Sequence, residues 1–266
     1  MFAWSIMTKI LDALIDARLN QKPVPLYGDT KKPTTLEEGY TLQEQLHAAL
    51  AGEGFGEIIG HKIGCTTPVM QEYLGIPHPC AGGIFSSRMY KKSIELTLRN
   101  FIRVGIECEI GVVLADGLDG AHQYTRDNIA QHVASCCASI EIVDDRYVDY
   151  EALGTPTTVA DDFFNAAVVI GDPVYDWQEI DLGAIKGEVS INGVKVGEGT
   201  GDMILGHPFE ALAWLANMKA QIQRPLLKGQ FVTLGSVVKT VWIDQPDTLV
   251  EIEFEKLGGC QVRFNP

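Results

Sequence analysis

Two glutamates interrupt an apolar run at alternate positions. In Val104-Gly105-Ile106-Glu107-Cys108-Glu109-Ile110-Gly111-Val112-Val113-Leu114 they are Glu107 and Glu109, and a third, Glu141, stands in Ser139-Ile140-Glu141-Ile142-Val143. A carboxylate in an apolar strand needs a neutralising partner, because an isolated charge is costly to bury. Side chains at i and i+2 of a strand share a face, with backbones about 6–7 Å apart. Glu107 and Glu109 can therefore converge on one ion while Ile106, Cys108 and Ile110 take the other face, and Glu141 joins them if its strand lies alongside. Three carboxylates suit a hard divalent cation, Mg2+ or Mn2+. The solvent face of an ordinary antiparallel strand shows the same alternation, and the pattern by itself leaves both readings open.

The chain has 266 residues, 46% of them hydrophobic, which is enough for a substantial core in one or two domains. Its formal charge of -14 repels nucleic acid and anionic lipid, so neither is an expected partner. An anionic substrate would need a cation or a local Lys or Arg to receive it. Cysteines at 65, 80, 108, 136, 137 and 260 form no C-x-x-C pair and no disulfide-scaffold spacing. They are expected as reduced, mostly buried thiols of a cytoplasmic protein. The start, Met1-Phe2-Ala3-Trp4-Ser5, lacks a basic segment followed by a long apolar stretch, and no apolar run reaches the ~18 residues of a membrane span.

Ile6, Ile10, Leu11, Leu14, Ile15 and Leu19 recur at helical spacing and predict an amphipathic first helix. Residues 22–33, with three prolines and a Gly28-Asp29 turn, read as loop. Thr35 and Glu38 predict a capping box, with Leu42, Leu46, Ala49 and Leu50 continuing a second helix to Gly52. A glycine-rich stretch follows to Gly64, then a short helix over 68–74 and a loop over 75–83. From about residue 101 the pattern turns to strands: 103–115, 140–143, 166–170, 231–243, 248–256 and 260–264. Residues 126–139 read as a helix with Ile129, Val133 and Cys136 or Cys137 inward. Asn192-Gly193 between two apolar alternations predicts a hairpin, and Phe209, Leu212, Leu215, Ala216 and Ile222 predict a helix after His207-Pro208. The sum is α+β. No strand–G-x-G-x-x-G–helix unit supports a dinucleotide-binding fold.

Across most of its length the chain resembles the hydratase/decarboxylase branch of the fumarylacetoacetate hydrolase superfamily, which includes 2-oxopent-4-enoate hydratases and 4-oxalocrotonate decarboxylases of aromatic catabolism. The resemblance is carried by Gly39-Tyr40 with Gln43, Gly60-His61-Lys62-Ile63-Gly64-Cys65-Thr66-Thr67-Pro68, Gly75-Ile76 with Gly82, Glu107-Cys108-Glu109 and Ile140-Glu141-Ile142-Val143-Asp144. Later landmarks are Ala160-Asp161, Val169-Ile170-Gly171, Leu205-Gly206-His207-Pro208, Ala213-Trp214-Leu215-Ala216-Asn217 and Gly235-Ser236. It implies a mixed β-roll around Mg2+ or Mn2+, with a helical N-terminal section over 1–75 and a catalytic domain over 76–266. It also implies Glu107, Glu109 and Glu141 as metal ligands and Lys62 beside the substrate. A 2-oxo acid would chelate the cation through its carboxylate and keto oxygens, and the resulting enolate would serve either hydration or decarboxylation. A homo-oligomer and association with a pathway enzyme follow from the same resemblance.

Other residues carry weaker expectations. Lys62 would bind the substrate carboxylate or the enolate, where the ordinary alternative is a surface lysine. Asp161, retained from the family's Asp-Asn pair, is the second candidate catalytic group, with helix capping as its plainer role. Ser236, Phe164 and His78 are candidate substrate contacts. His207 reads as a capping or packing residue, and His47, His122 and His132 as helix or surface residues. The chain departs from the family at Asp162, where Asn is usual, and at Phe163-Phe164, where small hydroxyl residues are usual. It departs again after Gly75-Ile76, where hydratases carry acids and this chain has Pro77 and Cys80. The departures imply a more apolar or differently shaped pocket. The leading expectation is a metal-dependent hydratase of 2-hydroxy-2,4-dienoates or 2-oxo-4-enoates. Decarboxylation, acylpyruvate-type C–C hydrolysis and a non-catalytic partner subunit are the alternatives.

Overall fold

The computed structural model describes residues 4–26 and 32–266, with side chains from residue 9 onward in the first segment. The side chain of Ile6 and the Gly28-Asp29 turn lie outside the described residues. In chain order the elements are α1 (Trp4–Asn20), α2 (Leu36–Leu50), β1 (Ile58–Gly64), α3 (Pro68–Leu74), β2 (Cys80–Phe85), β3 (Met89–Lys91), β4 (Ser93–Thr97), β5 (Val104–Leu114), α4 (Arg126–Ile129) and β6 (Val133–Asp144). These are followed by α5 (Tyr150–Leu153), α6 (Thr155–Ala160), β7 (Asn165–Ile170), β8 (Lys186–Ile191), β9 (Val194–Thr200), α7 (Pro208–Gln221), β10 (Phe231–Ser236), β11 (Val241–Trp242), β12 (Thr248–Phe254) and β13 (Gly258–Asn265).

One sheet runs β2-β1-β10-β5-β6-β7-β3, with β11 also on β5, and a second runs β4-β13-β12-β8-β9. Ile106, Cys108, Ile110 and Val112 of β5 meet Val250, Ile252, Val262 and Phe264 of the second sheet in one core. That is the apolar face of the alternation, so the glutamates face the other way. A smaller core forms where Ile10, Leu14 and Ala17 of α1 pack on Leu42, Leu46 and Leu50 of α2. The Asn192-Gly193 hairpin joins β8 to β9 with Ile191 opposite Val194. Among the described residues no helix is long and apolar enough to cross a membrane.

Four local readings change. The segment 126–139 is helical only at Arg126–Ile129 and then a 3-10 turn. From Val133 it is strand, paired along β5 from Leu114↔Val133 to Val104↔Asp144. Tertiary pairing overrides an apolar spacing that fits both periods. The glycine-rich stretch and the following loop contain β1 and β2, and β1 is an interior strand between β2 and β10. A boundary at residue 75 therefore does not separate helices from sheet. Finally, Thr35 caps α2 through Glu38 N, but the Glu38 carboxylate reaches past it to Thr34 N (2.7 Å) and Thr34 Oγ1 (2.9 Å). The expected reciprocal box is displaced by one residue.

Candidate active site and metal centre

Register places the glutamates on one face. Glu107 and Glu141 are direct cross-strand partners, and Glu109 stands opposite Ser139. Lys62 enters the same face from β1, opposite Thr233 of β10, which is itself opposite Gly111. One carboxylate oxygen of each glutamate lies within 4.8 Å of the others. Glu109, Glu141 and Lys62 are almost fully buried, and Glu107 is half-buried.

Each carboxylate has one oxygen tied to protein. Thr240 Oγ1 donates to Glu107 Oε1 (2.6 Å), Gly235 N to Glu109 Oε2 (2.9 Å) and Asn165 Nδ2 to Glu141 Oε1 (2.9 Å). Lys62 Nζ pairs with that same Glu141 oxygen at 3.0 Å. The remaining oxygens of Glu109 and Glu141 are buried without a hydrogen-bond partner, as are Ser139 Oγ and Thr233 Oγ1. Four orphaned oxygens on one face are what a hard cation and its oxygen ligands would satisfy. Glu107, Glu109 and Glu141 therefore fit a hard divalent cation in donor type, orientation and burial.

The electrostatics agree. Burial pushes the Glu109 carboxyl well above the usual range, and the Glu141 and Glu107 charges push it further. Burial also raises Glu141, to about 7, against the pull of Lys62. For Lys62, burial works against the ammonium, but Glu141, Glu107 and Glu109 outweigh it and hold its pKa above the ordinary value. One ammonium faces three acids, so the site has more negative capacity than its own residues neutralise.

Next to Lys62 the backbone makes an unusual turn. Asp162, Phe163 and Phe164 have φ of 53°, 49° and 69°, all left-handed and none glycine, at a cost of about 1–2 kcal/mol per residue. Buried ion pairs hold the turn. Asp162 accepts from Gly83 N (2.7 Å), His47 Nε2 (2.6 Å) and Arg18 Nη2 (3.0 Å). The turn lies on β1 and β2 at two glycines: a Cβ on Gly82 would sit 2.6 Å from Asp162 O, and one on Gly64 would sit 2.9 Å from the Phe163 ring. The Phe163 ring thereby comes to 5.1 Å from Lys62 Nζ, within cation–π reach.

Burial would raise the Asp162 pKa, but His47, Arg18 and Gly83 N together hold it at about 2. A depressed carboxyl stabilises the fold above its unfolded pKa and loses that contribution as pH falls through the folded value. Between about pH 5 and pH 2 the wild type should lose roughly 2 kcal/mol more unfolding free energy than Asp162→Asn. Urea unfolding across that range is the measurement, and parallel curves would refute the assignment.

Several expected site residues have other roles. Both Asp161 oxygens are closed on arginines, Oδ1 by Arg18 Nε (2.7 Å) and Oδ2 by Arg146 Nη1 (2.8 Å), so Asp161 is a structural anchor and not a free acid–base group. Phe164 turns to Tyr147 and Tyr150, and its neighbour Phe163 faces Lys62. Ser236 Oγ is spent on backbone, accepting from Cys108 N (3.1 Å) and donating to Val238 O (2.8 Å), which pins β10 to β5. His78 stacks on Trp214 and bonds the Pro79 carbonyl. His47, expected as a helix or surface residue, stands on α2 and is bound to buried Asp162. It lies against Gly83, on the opposite face of β2 from Gly82 and Lys62. His207 caps α7 by accepting from Phe209 N. Asn165, Arg146 and Thr240 were not singled out in the sequence. None stands in a motif of its own: the three-dimensional register brings Asn165 to Glu141 and Thr240 to Glu107, and Arg146 reaches the site only through Asn165.

Residues 90–265 match the family described as fumarylacetoacetate (FAA) hydrolase C-terminal. The chain belongs to this family. Its relatives include a 2-hydroxyhexa-2,4-dienoate hydratase of Comamonas testosteroni, 32% identical over 94% of each chain. A 2-keto-4-pentenoate hydratase of Paraburkholderia phymatum is 30% identical over 85% of each. Among solved structures, the 4-oxalocrotonate decarboxylase of Pseudomonas putida G7, complexed with magnesium and adipate, superposes with a TM-score of 0.88. At 21% identity it covers 99% of this chain and 98% of its own, so the whole fumarylacetoacetate hydrolase-like fold is shared, including the helical N-terminal section.

Proposed function

We propose that the chain is a divalent-metal-dependent hydratase that converts a 2-hydroxy-2,4-dienoate, through its 2-oxo form, to a 4-hydroxy-2-oxo acid. The observation that carries this reading is the set of Glu107, Glu109 and Glu141, each with one oxygen held by protein and the other left for a cation, on the face that also bears Lys62. The hydratase relatives support the reaction class. When bound, Mg2+ or Mn2+ supplies a Lewis acid for the adjacent carboxylate and keto oxygens of a 2-oxo acid.

The chain's own residues supply the rest. Lys62 is a fixed positive charge beside the carboxylates, placed to receive the substrate carboxylate or the negative charge that develops as the dienol rearranges. Phe163 covers that ammonium and, with Cys65, Ile76, Cys80 and Val159, forms a buried apolar cluster. A low-dielectric wall of this kind strengthens the ammonium's interaction with charge.

Decarboxylation is the second reading. It needs no activated water, and the segment from Gly75 to Cys80 offers no carboxylate to activate one. C–C hydrolysis is less favoured, because His47 lies against Gly83 on the face of β2 opposite Lys62, and the Asp162 carboxylate it pairs with is already held by Arg18 and Gly83 N. Incubation with 2-hydroxypenta-2,4-dienoate and Mg2+ should give 4-hydroxy-2-oxopentanoate, and CO2 release from 4-oxalocrotonate in its place would select the second reading. EDTA should abolish turnover. Re-adding metal at about 100 Kd should raise unfolding free energy by about 2.7 kcal/mol, read as a higher melting temperature. Turnover that survives EDTA would refute the metal site.

The reading includes a homo-oligomer in the cytoplasm. It is supported by the free, buried cysteines and by exposed apolar side chains at Val69, Met70 and Tyr73 of α3.

A further inference from the structure

Glu141 differs from the other two glutamates in how it is held. Thr240 donates to Glu107 and the Gly235 backbone amide to Glu109, but Glu141 Oε1 receives both Lys62 Nζ at 3.0 Å and Asn165 Nδ2 at 2.9 Å. Lys62 is a divided donor. It lies under the Phe163 ring, and any substrate acid it receives competes with Glu141 for the same ammonium. Asn165 has no such second task. Its backbone carbonyl accepts from Arg146 Nη2 at 2.8 Å, which anchors the residue at the start of β7, and Arg146 is fixed in turn by Asp161. Asn165 is fully enclosed at the head of β7, opposite Val143.

A terminal carboxylate rotates easily, because its last torsion is broad and roughly two-fold. Without Asn165, Lys62 could draw either oxygen of Glu141, and the oxygen now left without a partner would no longer be held toward Glu107 and Glu109. An amide N–H is the right group for this task. It donates to the carboxylate and adds no charge to a site that already holds three acids.

We propose that Asn165 is a positioning residue, which selects the oxygen of Glu141 presented to the cation and keeps it presented when Lys62 engages substrate. The proposal rests on the metal reading above. Partners that orient a metal ligand typically change metal affinity by about 10–100-fold when lost.

Mn2+ binding to the full chain, followed by electron paramagnetic resonance without substrate, tests it. Asn165→Ala should weaken Mn2+ at least about tenfold, and Asn165→Leu, which keeps the volume, should do the same if the smaller variant folds poorly. Both should raise KM for the dienoate. In a Glu141→Gln background the further loss from Asn165→Ala should vanish, which a purely structural role would not produce. Unchanged Mn2+ affinity in a folded Asn165 variant, or an undiminished effect in the Glu141→Gln background, overturns the proposal. Wild-type protein that binds no Mn2+ overturns the metal reading itself, so the two failures are distinguishable.

Discussion

Glu109→Gln should cut turnover by about a thousandfold, a loss of about 4 kcal/mol of transition-state stabilisation, while leaving the metal-free protein at least as stable as wild type. The two effects have one cause. Glu109 is buried, one of its oxygens has no partner, and burial followed by the charges of Glu141 and Glu107 raises its pKa well above normal. Glutamine keeps the size and still offers an oxygen to Gly235 N. Its amide can donate toward Ser139 Oγ or Thr233 Oγ1, both now unpartnered. Removing one of three acids that face a single ammonium should add roughly 1 kcal/mol to stability in EDTA. Melting in EDTA and turnover at saturating Mg2+ read the two arms. Full turnover would remove Glu109 from the ligand set. A large loss of metal-free stability would show that protein groups alone neutralise its charge.

What could be read from the sequence follows from how local the signal was. The Glu107/Glu109 alternation obeys strand geometry over two residues, and β5 presents both on one face as that geometry requires. Asn192-Gly193 is equally local, and the hairpin forms there. The segment 133–139 was misread because Val133, Cys136 and Cys137 fit a helix face as well as a strand. Pairing with β5, from Leu114↔Val133 to Glu109↔Ser139, decides the matter. β1 and β2 were hidden by glycine. Gly82 reads as a loop residue and Gly64 closes a glycine-rich stretch with no strand pattern, yet both stand in strands, where the Asp162–Phe164 turn packs directly on them.

The errors at the site have a similar origin. Position in a motif points to Asp161 and Phe164, but Arg18 and Arg146 close on Asp161, and a left-handed backbone from Asp162 to Phe164 re-aims the side chains that follow. It sends Phe163 to Lys62 and Phe164 to Tyr147 and Tyr150. No local pattern announces that Arg18, at the end of α1, will reach Asp161 and Asp162 about 143 residues away.

Lys62→Met should separate the structural task of Lys62 from its chemical one. The side chain is 1% exposed and pairs with fully buried Glu141. Methionine is one atom shorter, unbranched and apolar, and packs against Phe163, so the main change is loss of the ammonium. Breaking one side of a buried pair leaves an uncompensated charge, which typically costs about 3–5 kcal/mol. In EDTA the variant should therefore melt well below wild type, with a matching fall in the denaturant midpoint. A divalent cation would restore positive charge to the same face, so saturating Mg2+ should recover more stability in Lys62→Met than in wild type. Turnover should not recover with it. If the ammonium receives the substrate carboxylate or the charge developing in the transition state, activity should stay down by about a hundredfold or more at saturating metal. A variant rescued by Mg2+ in both stability and turnover would confine Lys62 to charge balance. A variant as stable as wild type in EDTA would mean that the carboxylates are neutral without it, because the acids are then already protonated and the Glu141 pair contributes no charge interaction.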